Sequence, residues 1–233
     1  MITCQICKME NNHLASICFK CGGFLQAKVD NINLFETLWK LIEHPSKAFK
    51  NIAMSKHKNY IVLLSFLSGI SLSFLLLRYW KIYEYLETTK TLFIAGIGGG
   101  VLVGVVSITI ISFFIFNLTK FFKVRTLFRN VWSVVSFSFV PLIYSLIFLM
   151  PVKLLTFGIN YFTTEHSLVS LNQSVYYILL TLDYLMLLWV AVLLTVAVKS
   201  LYDLTIPKSL IICLPSLLVV AAGVYFWKVL IYG

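Results

Sequence analysis

The sequence predicts an all-α polytopic membrane protein, a five-helix transmembrane bundle, on three observations. Of its 233 residues 60% are hydrophobic and only 12% charged, against about one-quarter charged in an average soluble domain. Apolar residues run on, at five places, for the roughly 20 positions that cross about 30 Å of hydrocarbon. Lipid offers a free amide no partner, so such runs must be helices or a closed barrel, and barrel strands would be shorter and alternate in polarity.

The first element breaks this pattern. Residues 4–23, CQICKMENNHLASICFKCGG, hold two Cys-x-x-Cys pairs ten residues apart: Cys4 with Cys7, and Cys18 with Cys21. Four thiols could serve as disulfides, a redox site, an iron–sulfur ligand set or a zinc site, and the compartment decides among them. The start MITCQICKME lacks a basic segment followed by an apolar one, so no cleavable signal is expected and the first span must direct insertion.

Lys and Arg near span ends favour the cytoplasm. An N-terminus inside puts Lys40, Lys47, Lys50, Lys56, Lys58, Lys120, Lys123, Arg125, Arg129, Lys199 and Lys208 on that side. The other side keeps Arg78, Lys81 and Lys90, which share a loop with Glu84 and Glu87, and Lys153 and Lys228 near outer ends. The expected topology is N-terminus cytoplasmic, C-terminus outside.

In a reducing cytosol disulfides are disfavoured and metal binding favoured. Two knuckles supply a tetrahedral Cys4 set for Zn2+, and with all four positions filled the metal is structural, not catalytic. Gly22 and Gly23 are expected to provide the positive φ a knuckle needs. So short a segment cannot bury a core of its own; metal binding would supply its folding free energy, on the order of 10 to 16 kcal/mol in finger peptides. Residues 1–26 are therefore read as a small N-terminal Cys4 zinc ribbon, with His13 a solvated loop residue and Cys213, in the fifth span, a packing residue.

Residues 27–58 read as an interfacial linker. Leu34, Leu38, Leu41 and Ile42 recur at helical spacing with Phe35 and Trp39 alongside, a pattern that suits either a helix in the headgroup plane or one packed on the cytoplasmic ends of the spans. Residues 59–233 form the membrane domain, with spans at about 60–79, 92–117, 131–150, 175–198 and 210–230. The formal charge of +10 falls largely on the cytoplasmic face, where acidic lipid headgroups are its natural neighbours. Nucleic acid is not expected as a partner, because no groove-reading helix or stacking platform accompanies the charge.

From about residue 34 onward the chain resembles a known family. The stretches LWKLIEHPSKAFKNIA, LFRNVWSVVSFSFVPLIYSLIF and LLWVAVLLTVAVKSLYDLTIPKSLIICLPSLL, with the five-span count, are similar to the Yip family of Ypt/Rab-interacting membrane proteins. The resemblance implies the fold and topology. Eukaryotic members have long polar N-terminal regions, whereas a ribbon fused to this domain looks like bacterial or archaeal members, which lack Rab GTPases; a prokaryotic plasma membrane is therefore the expected location.

Inside the spans, AGIGGGVLVG lacks the Lys-Ser/Thr of a phosphate loop and lies deep in an apolar run. Gly96, Gly100 and Gly104 fall four apart on one helix face and suit close helix packing, within or between protomers. Pro141 and Pro215 are expected to kink the third and fifth spans. Tyr60, Tyr79, Trp80 and Trp132 near span ends are read as interface anchors.

Asp183 is an acid well inside the fourth span, read either as an ion or proton site or as a neutral acid hydrogen-bonded to a Ser, Thr or Tyr; Lys153 is expected to snorkel to the headgroups and leave it without a charged relay. No nucleophile–base pair or open metal position is visible, so an enzyme is not expected. The favoured function is an integral membrane adaptor that displays the ribbon to a cytoplasmic protein, possible as a homo-oligomer. The alternative is a small transporter or channel subunit using Asp183 in an oligomeric bundle.

Overall fold

The computed structural model describes residues 2–26, 31–81, 88–122, 126–162 and 165–232. Glu84, Glu87, Lys123 and Arg125, which entered the charge-based orientation, lie outside the described residues, as do the side chains of His166 and Lys228. Among the described residues, five helical stretches are long and apolar enough to cross a membrane: Ile61–Tyr79, Thr89–Phe121, Phe128–Phe162, Asn172–Tyr202 and Ile206–Gly223.

Ahead of them stand β1 (Ile2–Thr3), paired antiparallel with β2 (Glu10–Asn11), and two short helices, α1 (Leu34–Glu43) and α2 (Pro45–Met54). Asn33 starts α1 by accepting the Glu36 amide on its side chain, and Pro45 starts α2 at a position where a missing amide costs nothing. Leu41 is buried, and Leu34 and Leu38 pack beside it on the bundle core. Phe35, Trp39 and Ile42 form a second apolar stripe, exposed by 82%, 62% and 50%. One stripe of α1 thus joins the bundle core, α2 lying between it and the spans, and the other is exposed.

The spans are α3 (Ile61–Tyr79), α4 (Thr89–Phe121), the composite third span, α8 (Glu165–Tyr202) and α9 (Ile206–Tyr232). Helix α8 is interrupted at Asn172, whose extended backbone and side chain, accepting the Val175 amide, cap the membrane-crossing part. The third span lies centrally: 72% of its apolar window is buried inside the protein, against 22–50% for the other four. It consists of α5 (Phe128–Ser138), α6 (Val140–Tyr144), a π-helical turn Ser145–Leu149, α7 (Met150–Phe157) and a 3-10 turn Gly158–Phe162. Pro141 coincides with the break between α5 and α6 at Phe139. Helix α9 runs through Pro215 without interruption.

The glycine face of α4 meets α3. A Cβ on Gly104 would stand 2.1 Å from the Ser65 carbonyl oxygen, and one on Gly100 2.5 Å from the Ile70 Cα. Gly69, on α3, completes the contact, since its Cβ would lie 2.1 Å from the Gly100 carbonyl oxygen, while Gly96 makes room for the Phe74 ring. The stripe thus serves packing within one chain. Because the obstructing atoms at Gly104 are backbone, Gly104→Ala must push the helices apart. We expect it to cost about 1–3 kcal/mol in an unfolding titration in detergent, whereas Gly98→Ala, where a Cβ would meet nothing, should be neutral or stabilising by up to about 1 kcal/mol from helix propensity.

Candidate functional site

The four cysteines converge. Their Sγ atoms all lie within 4.8 Å of one another, with Cys4–Cys21 and Cys7–Cys18 each at 3.6 Å. A tetrahedral zinc with Zn–S bonds of about 2.3 Å would hold its sulfurs about 3.8 Å apart, so the cluster has the dimensions of a metal site.

The two halves repeat one backbone plan. The Cys4 amide bonds to the Met9 carbonyl and the Lys8 amide to the Cys4 carbonyl; the Cys18 amide bonds to Gly23 and the Gly22 amide to Cys18. The residue after each pair has positive φ, Lys8 at 58° and Gly22 at 70°. Gly23 does not: its smallness is used sterically, since a Cβ there would lie 2.6 Å from Ile6 Cδ1.

The electrostatics suit a cation. Amides of Cys21 and Lys20 and the Asn11 side chain donate to the Cys18 sulfur and, outweighing burial, lower its thiol to about 6. The Cys4 thiol is likewise lowered, chiefly by the Cys7 amide. Cys21 receives the Gly23 amide, yet the crowding of Cys7, Cys4 and Cys18, together with burial, raises it to about 12. Four such sulfurs cannot all ionise without a cation between them. Asn11, which the spacing of the cysteines did not point to, is buried; its Nδ2 donates to Cys18 Sγ at 3.5 Å and its Oδ1 accepts the Phe19 amide at 3.0 Å, clamping the knuckles together.

His13 is not a solvated loop residue. Its Nε2 is 3.0 Å from the Ser200 carbonyl oxygen at the end of α8, Gln26 donates to the His13 and Ala15 carbonyls, and Leu14 packs on the bundle core. The intervening loop docks the cysteine module on the bundle because a histidine and a leucine there find a helix end and an apolar surface within reach.

At the opposite end of the bundle lies a second polar assembly. Lys153, on α7, is 1% exposed and donates to Asp183 Oδ1 at 2.5 Å. Ser145, the first residue of the π turn, donates to the same oxygen at 3.4 Å. Arg78, in the last turn of α3, places Nη1 3.8 Å from Asp183 Oδ2, donates to the Tyr161 hydroxyl at 3.0 Å, and stacks over the rings of Tyr161 and Tyr176. Tyr161 and Tyr176 belong to a buried apolar cluster with Phe74, Leu92, Phe157 and Phe162.

This corrects two expectations. Lys153 does not snorkel, because the third span continues to Phe162 and carries the lysine inside, where a carboxylate is its best partner. Asp183 accordingly has charged neighbours. The π turn, a device common at functional sites, brings Ser145 into the cluster and left no mark in the hydropathy pattern. Asp183 Oδ2 is buried with no hydrogen bond of its own. A cavity of about 10 Å³ beside Ser145, Lys153 and Tyr161 is close to the least that holds one water. Cys213 is 1% exposed and packed in the core.

Against known proteins, a family model described as Yip1 domain matches residues 39–227, well over half of the chain. No curated protein and no solved structure matches.

Breaking a buried ion pair from one side strands a charge, whereas replacing both partners by apolar residues does not. Asp183→Leu, which strands both Lys153 and Arg78, should therefore lower stability by about 3–5 kcal/mol, and the triple variant Asp183→Leu, Lys153→Met, Arg78→Met should recover most of it in the same detergent unfolding assay. Metal binding at the cysteines should weaken as pH falls, since protons compete for the thiolates; zinc retention measured across a pH series tests the sign.

Proposed function

The chain belongs to the Yip1-domain family of multi-pass membrane proteins, and on that premise we propose that it is a non-catalytic adaptor whose zinc-stapled N-terminal module is displayed at the cytoplasmic face. One observation carries this reading: docking through His13 and Leu14 leaves Ile6, Phe19 and Phe24 about three-quarters exposed on the module. A segment of some two dozen residues that spends its few large apolar side chains on its surface gains nothing for its own core; such a patch suits a protein partner. Zinc is favoured among metals by the all-thiolate tetrahedral donor set, and its closed coordination gives a rigid surface with little ordering cost on binding.

The cytoplasmic assignment is supported by the company the module keeps. Ser200, which it contacts, follows Lys199, and Lys58 stands close enough to Arg129 for the two to repel. Basic residues thus gather at the end where the module docks, as the charge bias of span ends would have it. Transport through Asp183 has less support, because Lys153 and Arg78 already engage its carboxylate as ion-pair partners.

Cross-linking in native membranes tests the adaptor. Wild type should trap a specific cytoplasmic protein. Phe19→Ser with Phe24→Ser should lose it while retaining one zinc per chain, and Cys18→Ser with Cys21→Ser should lose both. A cross-linking pattern unchanged in both variants, together with proton-dependent flux in proteoliposomes abolished by Asp183→Asn, would replace this reading by transport.

A further inference from the structure

The cluster of Arg78, Lys153 and Asp183 contains two cations and one anion, so among the described residues one positive charge is left uncompensated in an otherwise apolar setting. Of the three, Arg78 is the most open, its side chain 15% exposed. On helices that also carry the cluster lies a cleft of about 500 Å³ lined almost wholly by hydrocarbon, within the size of small-molecule sites.

Shared elements join the two. On α8, Asp183, Leu187 and Val190 follow at helical spacing along one face, the first in the cluster and the others in the cleft. On α6 and the π turn, Leu142 lines the cleft one turn before Ser145. On α3, Arg78 belongs to the cluster and its neighbour Tyr79 to the cleft.

The cleft is open on one side and not sealed, so the medium around the spans has access to it. Water does not fill so apolar a space. The material available at that depth of a bilayer is acyl chain.

We propose that the cleft and cluster together bind one anionic phospholipid from the leaflet facing away from the cysteine module, its acyl chain in the cleft and its phosphate on the open side of Arg78. Charge complementarity selects the headgroup: the excess positive charge favours an anionic over a zwitterionic lipid. The exposed rings of Tyr79 and Tyr225, both lining the cleft, suit the border between chain and headgroup. This site is independent of the adaptor reading and of any metal.

The test is native mass spectrometry and thermal melting of the full chain in detergent, with phosphatidylglycerol, phosphatidylcholine of matched chains, or inorganic phosphate added. Wild type should retain one phosphatidylglycerol with a preference on the order of fivefold, the worth of one basic residue against an anionic lipid, and melt higher in its presence; inorganic phosphate should do neither. Arg78→Gln should equalise the two lipids, and Leu187→Trp, which fills the cleft but spares the ion pairs, should lose both. Equal retention of the two lipids by wild type overturns the proposal without recourse to variants, so it stands or falls even if Arg78→Gln does not fold. Stabilisation by inorganic phosphate alone would make the site a free-anion site, and lipid retention by a folded Leu187→Trp would remove the cleft from it; either result also overturns the proposal.

Discussion

Every polar group that enters hydrocarbon must find its partner inside the chain, and this constraint organises the membrane domain at each scale. It makes the spans helical. It also disposes of most hydroxyls: Ser65, Ser112, Ser138, Thr195 and Ser216 each donate to the carbonyl four residues earlier on their own helix, whereas Ser133 Oγ is buried without a hydrogen-bond partner. Where no local partner exists, as for Asp183, the fold brings one from another span. Lys153 reaches the carboxylate because the third span changes its winding twice on the way, at the break before Pro141 and at the π turn. Irregular backbone in this protein is concentrated in the span with the most protein around it, the place where freed carbonyls and amides can be satisfied.

The cysteine module obeys different physics. It has two two-residue strands, one isolated bridge between Ile17 and Phe24, and no room for an apolar interior. Its order comes from duplicated backbone turns that aim amides at sulfur, and from Asn11 between them. Those amides lower Cys4 and Cys18, while mutual crowding raises Cys21. The fold has thus gathered four sulfurs, with amides aimed at them, at the spacing of a metal-ligand set.

How far such a structure can be read from its sequence depends on whether a feature is local. The five spans and the four cysteines were legible because apolar run length and Cys-x-x-Cys spacing are properties of one segment. The glycine face of α4 was legible for the same reason, but not its partner: Gly69 is a lone glycine on α3 whose meaning appears only when α4 lies against it. Asp183 stood out as an acid in an apolar run, yet its ion pair did not, since hydropathy ended the third span at Met150 and left Lys153 outside. Arg78 falls inside the first span as drawn, 60–79, yet its charge was grouped with those of the following loop. For α1 the sequence showed apolar residues at helical spacing, but not that they divide into two stripes, one joined to the bundle core and one exposed.

The two polar assemblies are held with unequal strength, and the difference bears on what each can do. Arg78, Lys153 and Asp183 tie α3, α7 and α8 in low dielectric, where separating the charges would expose each of them to hydrocarbon; motion there is suppressed, and a fixed site for a ligand is the natural use. Among the described residues the module meets the bundle through a hydrogen bond from a histidine to a carbonyl and the packing of one leucine. A contact of that kind resembles a small interdomain interface, for which relative motion is the default. The bundle is therefore the rigid part, and the cysteine module is the part held loosely enough to move against it.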